Sequence, residues 1–158
     1  MDYICGVKLN KMKEIVQFIG DYSFLSNFHP CEVILEGYEY PTVEHAYVAA
    51  KTTDTNIRES IRRAIYPGQA KRMGKHIVLR EDWELIKLDV MKYLLRQKFK
   101  PGTDLAQKLF DTGDVFICEG NTWGDMFWGK CKGKGKNNLG RMIMEVREEL
   151  KVIMSEEN

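Results

Sequence analysis

Residues 81–99, EDWELIKLDVMKYLLRQKF, admit a single local structure. Trp83, Ile86, Val90 and Leu94 recur at helical spacing on one face, and Met91 and Leu95 widen it. A stripe that broad must be covered, so the rest of the chain has to supply a core. It has the material: 158 residues, 44% hydrophobic and 30% charged, suit one globular domain over 1–158. No repeat and no linker divides it.

The remaining elements are shorter. The opening MDYICGVKLNKMKE has no clear period, and IVQFIG reads as a first strand. CEVILEGYEYP reads as a hairpin, with Gly37 in the turn and Pro41 closing the second strand. A helix from about Asp54 sets Ile57, Ile61 and Ile65 four apart and stops at Pro67 and Gly68. QAKRMGK is a helical turn ended by Gly74, Asp104 is placed to cap LAQKLF, and DVFICEG reads as a buried strand. A last helix, from about 138 to 152, buries Leu139, Ile143, Val146 and Leu150. NTWGDMFWGKCKGKGKN has the composition of a long loop, the kind that is functional or disordered.

A net charge of +1 gives no global drive toward DNA or an anionic membrane, so any nucleic-acid contact needs a local patch. No apolar run is long enough to span a bilayer. The cysteines at 5, 31, 118 and 131 lack zinc or redox spacing. With no signal peptide, the expectation is a cytoplasmic protein with free thiols.

The stretch YPTVEHAYVAAK, 40–51, raises the functional question. As a helix begun after Pro41 and Thr42, it aligns Glu44, Val48 and Lys51 beside a stripe of Val43, Ala46, Tyr47 and Ala50. Ionisable groups beside a buried face are costly unless paired or used. Taken alone, Glu44 suits the helix dipole and Lys51 can snorkel to water. His45 reads as a satisfied core histidine before a catalytic one.

Other segments carry similar alternatives. In FLSNFHP, Asn27 is framed by Phe24 and Phe28; it is a turn residue or an amide that bonds a base or sugar while the rings stack. Glu119 and Asp125 follow the buried strand, where solvated acids and catalytic carboxylates both occur. WGKCKGKGKNNLG interleaves Lys130, Lys132, Lys134 and Lys136 with glycines and leads into a helix whose first amides would be free. That suits a phosphate, with Trp123, Phe127 and Trp128 as stacking surfaces, although the spacing is not that of a nucleotide-binding P-loop.

Taken together, FLSNFHP, YPTVEHAYVAAK, QAKRMGK followed by DW, VMKYLLRQKF, the TGD…ICEG strand and DMFWGKCKGKGKNNLGRMIMEVR resemble the YbiA-like or NADAR family over about residues 18–150. The resemblance implies an α+β domain, helix-rich around a small β-sheet, and N-glycosidase chemistry. Some members cleave the ribosylamine bond of early riboflavin-pathway intermediates; others remove ADP-ribose from guanine bases. By motif position, Glu44 matches the acid of the family's EH pair, and Lys51 the lysine ending that helix. Lys71 matches the AK lysine, Asp125 the aspartate before WG, and Asn27 the SNF asparagine. Trp128, Gly129 and Asn138 match the WG…N-LG tail. Val48 departs from the glutamine that many members carry.

The expectation is therefore hydrolysis of a C1′–N bond in a phosphorylated ribosyl or ADP-ribosyl conjugate, ADP-ribosylated DNA or RNA included, with no metal or cofactor. Glu44 stabilises the cation or acts as base, Asp125 or Glu119 gives acid–base support, and Lys51, then Lys71, are candidates for Schiff-base attack on C1′. Asn27, Phe28, His45, Lys71, Trp128, Gly129 and Asn138 are expected to hold substrate, with Lys134 and Lys136 on its phosphate. The alternative is a non-catalytic module that binds ADP-ribose or NAD. Residues 1–14 and 151–158 lie outside the resemblance, and oligomeric state stays open.

Overall fold

The computed structural model describes residues 14–157; the readings that fall on 1–13, Cys5 among them, and on Asn158 lie outside the described residues. The elements run β1 (Glu14–Ile15), a 3-10 turn (Gly20–Leu25), β2 (Val33–Leu35), β3 (Tyr38–Tyr40), α1 (Val43–Ala50), α2 (Thr55–Arg62), α3 (Pro67–Gly74), α4 (Trp83–Lys98), α5 (Asp104–Asp111), β4 (Phe116–Ile117), β5 (Gly120–Asn121), β6 (Lys130–Cys131) and α6 (Asn138–Glu156). The architecture is α+β and rich in helix. Among the described residues, the expected small sheet is three two-stranded pieces: β1 parallel to β4, β2 antiparallel to β3, and β5 parallel to β6.

Helix α1 lies at the centre, packed against α2, α3 and α4. Its sequence makes that position possible. Val43, Ala46, Ala49 and Ala50 are all buried, and three small side chains among them let neighbouring helices approach closely. The Thr42 side chain caps the helix by accepting from the His45 amide at 3.1 Å. Trp83, Met91, Leu94 and Leu95 of α4 close one side of the core, and Leu139, Ile143, Val146 and Leu150 of α6 close another.

Several local readings change. Among the described residues the first strand covers only Glu14–Ile15; the chain bends after it, and Gly20 (φ +57) opens the 3-10 segment. In α2 only Ile61 is buried, while Ile57 and Ile65 are exposed; the helix ends at Arg62. Pro67 and Gly68 open α3 instead of closing α2, since proline lacks only an amide hydrogen that the first turn leaves unpaired. Thr103, not Asp104, caps α5, accepting from the Ala106 amide at 3.2 Å. The hairpin forms as read, with Glu36 (φ 49) and Gly37 (φ 88) both left-handed at its turn. Cys31, Cys118 and Cys131 are free thiols, and no helix among the described residues is long and apolar enough to cross a membrane.

Candidate active site

A cleft of about 850 Å³ opens where four segments meet: the loop after the 3-10 turn, α1, α3, and the chain around β5. From α1 come Glu44, Tyr47 and Val48, with Lys51 at its C-cap, from the loop Asn27 and Phe28, and from α3 Lys71 and Arg72, with Lys75 at its C-cap. Glu119, Asn121, Trp123, Asp125 and Trp128 complete it. The Glu44 amide donates to the Asn27 carbonyl at 3.1 Å, which fastens the loop to the start of α1. Asn27 Nδ2 lies 3.7 Å from the Met91 sulfur, and its Oδ1 is buried without a hydrogen-bond partner. An unpaired acceptor on a cleft wall is suited to a donor arriving with a ligand.

The acids are held by backbone. Asp125 Oδ1 accepts from the Phe127 and Trp128 amides at 3.0 and 2.9 Å, fixing a tight turn at the cleft edge. The Glu119 amide donates to Asn137 Oδ1 at 2.9 Å, while Asn137 Nδ2 donates to the Ile117 carbonyl at 2.9 Å. Gly129 lies behind the Glu119 carboxyl, where any Cβ would overlap Glu119 Oε2. Tyr47 packs edge-on to Trp128, with ring centroids 5.4 Å apart, and Lys51 Nζ lies 5.5 Å from the Tyr47 centroid.

The electrostatics follow from this enclosure. Burial pushes the Glu44 carboxyl up to about 7, against the opposing pull of Lys71 and Lys51. Burial and the neighbouring Asp125 push Glu119 up to about 7 as well. Burial pushes the Lys51 ammonium down from its ordinary value; Glu44 opposes this, and Lys87 and Lys71 add to it. Near neutral pH the cleft therefore holds carboxyls able both to give and to take a proton.

The structure gathers Glu44, Lys51, Lys71, Glu119, Asp125, Asn27, Phe28 and Trp128 at one cleft. It leaves other candidates outside its lining. His45 is buried beside Thr42 and Ala64. The Ala64 carbonyl can only accept, so Nε2 donates to it at 3.0 Å and Nδ1 accepts from the Thr42 hydroxyl at 2.7 Å. Lys134 and Lys136 are exposed, and Lys136 lies 5.8 Å from the Phe127 centroid. The amides expected to be free at the last helix are paired: Asn137 with the Gly129 carbonyl, Asn138 with that of Phe127, and Leu139 with that of Trp128. Gly129 and Asn138 thus support the site from behind. Phe127 faces Lys87, 4.0 Å from its centroid.

Asn121, Asn137, Arg72 and Lys75 were not singled out by sequence reasoning. Asn121 bonds to Asp125 four residues on, and Asn137 becomes recognisable only once the start of α6 packs against Ile117 and Glu119. Arg72 and Lys75 flank the matched Lys71, and their helical spacing around it was the available signal.

A helix-rich α+β scaffold with carboxyls and amines converging on one cleft defines the class of protein. The comparisons narrow it. The NADAR domain profile matches residues 16–151, and the chain belongs to this family. It is 40% identical over 135 residues to the N-glycosidase YbiA of Escherichia coli, covering 84% of each chain. It is 38% identical over 150 residues to a riboflavin biosynthesis protein of Vibrio vulnificus, covering 91% of this chain but 41% of that one, so it spans less than half of that relative's length. The solution structure of E. coli YbiA superposes with a TM-score of 0.80 at 36% identity, covering 92% of this chain and 89% of that chain.

Proposed function

We propose that this chain is an N-glycosidase that cleaves the C1′–N bond of a phosphorylated ribosyl or ADP-ribosyl conjugate. The observation that carries the reading is the shared cleft of Glu44, Glu119 and Asp125 with Lys51 and Lys71, two of its carboxyls held at about 7. Breaking the bond leaves positive charge on the sugar, in an oxocarbenium-like transition state. Protonated Glu119 gives its proton to the leaving nitrogen, which takes the C1′–N electron pair. Glu44 and Asp125 face the developing cation. The nucleophile is water, losing its proton to Glu44, or the Lys51 amine, whose Schiff base with the opened sugar water then hydrolyses. Either route consumes one water and releases free base and free sugar phosphate.

The cleft's own cations take the phosphate: Arg72 stands with Lys71 on α3, and Lys75 at its C-cap. The name of the E. coli relative supports the reaction, and that of the Vibrio relative, a riboflavin biosynthesis protein, favours a substrate from that pathway. The cleft volume of about 850 Å³ gives room for an ADP-ribosyl guanine as well, presented free or in DNA or RNA. The test is incubation with ADP-ribosylated guanosine and with a phosphorylated ribosylaminopyrimidine, followed by chromatography for released base. Release from either supports the enzyme. A thermal shift with ADP-ribose and no release from either substrate would make the chain a binding module.

A further inference from the structure

Two large aromatic side chains stand exposed at the cleft mouth. Trp123, in the loop after β5, is 61% exposed, and Phe28, in the loop before β2, is 39% exposed. Both line the cleft from separate walls. One ammonium lies over both rings: Lys71 Nζ is 4.9 Å from the Trp123 centroid and 5.9 Å from that of Phe28. A cation is attracted to each ring face, and a flat heteroaromatic ring is attracted to the same faces. The ammonium thus occupies space that a stacked base would fill. It sits on a long, flexible stem and interacts with Glu44 and Glu119 deeper in the cleft, so it has somewhere to go.

We propose that Phe28 and Trp123 form the subsite for the planar base of the substrate, and that Lys71 holds this slot in the free protein and leaves it when the base enters. The inference rests on the N-glycosidase reading for the base's role as leaving group. Stacking itself is independent of turnover.

The experiment titrates the full chain and its variants with guanosine 5′-monophosphate, which carries base and phosphate, with ribose 5-phosphate, which lacks the base, and with guanosine, which lacks the phosphate. Trp123→Ala and Phe28→Ala are each expected to weaken the nucleotide about ten-fold and to leave ribose 5-phosphate unchanged. Trp123→Phe restores most of the loss, because a ring returns. Lys71→Met binds guanosine at least as tightly as the unmodified chain, because the slot no longer holds a cation. The subsite is overturned if the unmodified chain does not bind the nucleotide, if the ring variants bind it normally, or if they lose ribose 5-phosphate equally. Weaker guanosine binding by Lys71→Met overturns the placeholder. Selective nucleotide loss in a protein that releases no base from any substrate would sink the N-glycosidase reading and leave the subsite standing. Normal nucleotide binding by ring variants of an active enzyme would do the reverse.

Discussion

Asn121 and Asp125 bond to each other in both directions: Asn121 Nδ2 donates to the Asp125 carbonyl at 2.8 Å, and the Asp125 amide donates to Asn121 Oδ1 at 3.0 Å. The same Nδ2 lies 3.4 Å from Glu119 Oε2 and pulls that carboxyl down against its burial. One buried amide thus positions both acids. Asn121→Ala is expected to lower kcat/KM by more than ten-fold and to raise the Glu119 pKa further. If protonated Glu119 is the acid, the alkaline limb of the pH–rate profile moves to higher pH. A limb that stays in place would remove Glu119 from that role.

The phosphate assignment separates two groups of basic residues. All four are exposed, but Lys134 and Lys136 lie outside the cleft lining, whereas Arg72 and Lys75 are on its wall. Losing a charge-assisted hydrogen bond costs about 1.5–3 kcal/mol, roughly ten- to a hundred-fold in affinity. Arg72→Ala with Lys75→Ala should weaken substrate by that range, with a shallower salt dependence. Lys134→Ala with Lys136→Ala should change it by less than about two-fold, since surface charges away from the ligand are screened. Calorimetric titration at two salt concentrations measures both.

The difference between those groups marks what the sequence could convey. Periodicity located α4 and α6, and the proline–threonine start located α1, because local spacing reports which face a helix buries. Glu44 and Lys51 stood out because they share that helix with a buried stripe. The lysine–glycine segment looked like a phosphate cradle because composition says nothing about where backbone amides point. In the fold they point at the carbonyls of Phe127, Trp128 and Gly129. Asn137 works through contacts with Glu119 and Ile117 that exist only after the start of α6 docks on the chain after β4, and no local pattern encodes them. Asn121 bonds locally to Asp125, four residues on, but its reach to Glu119 is a matter of side-chain placement.

Two half-buried carboxyls and one buried lysine give stability an opposing pH dependence. Glu44 and Glu119 rise from 4.5 to about 7 on folding, so the folded chain binds more protons than the unfolded one in that window, and stability falls as pH rises through it. Lys98 is buried, donates to the Ser26 carbonyl at 2.6 Å, and drops from 10.5 to about 7 because of burial. The folded chain then binds fewer protons between 7 and 10.5, so stability rises across that range. Thermal melts should show Glu44→Gln with Glu119→Gln flattening the fall between pH 5 and 7 (a window from the same linkage, about two units wide). Lys98→Met should flatten the rise between pH 7 and 10.5. Unchanged slopes in either variant would show that its groups titrate alike in both states.

Asp125→Asn isolates charge from architecture. The amide oxygen of asparagine can accept from the Phe127 and Trp128 amides as Asp125 Oδ1 does, so the turn and the fold persist. What is lost is negative charge beside C1′, which counts most at the transition state. Turnover should fall by roughly a hundred-fold or more, with substrate affinity changed less than about three-fold. Equal losses in both would mean that Asp125 binds the ground state.

Lys51 decides the route. It follows Glu44 by two turns of α1, its ammonium is pushed down by burial, and Tyr47 flanks it at 5.5 Å. A lowered lysine pKa leaves more neutral amine to attack C1′. The base departs with the electron pair and the Glu119 proton, the sugar ring opens, and a Schiff base links the sugar to Nζ. Borohydride reduces that bond to a stable amine, so substrate plus borohydride should inactivate the enzyme and add the mass of the sugar phosphate to the peptide containing Lys51. Neither reagent alone should do so. Lys51→Arg keeps the positive charge but lacks the nucleophile, and should bind substrate while turning over at least a hundred-fold more slowly (about 2.7 kcal/mol in the barrier). An active Lys51→Ala together with no trapped adduct would assign the attack to water and leave Glu44 as its base.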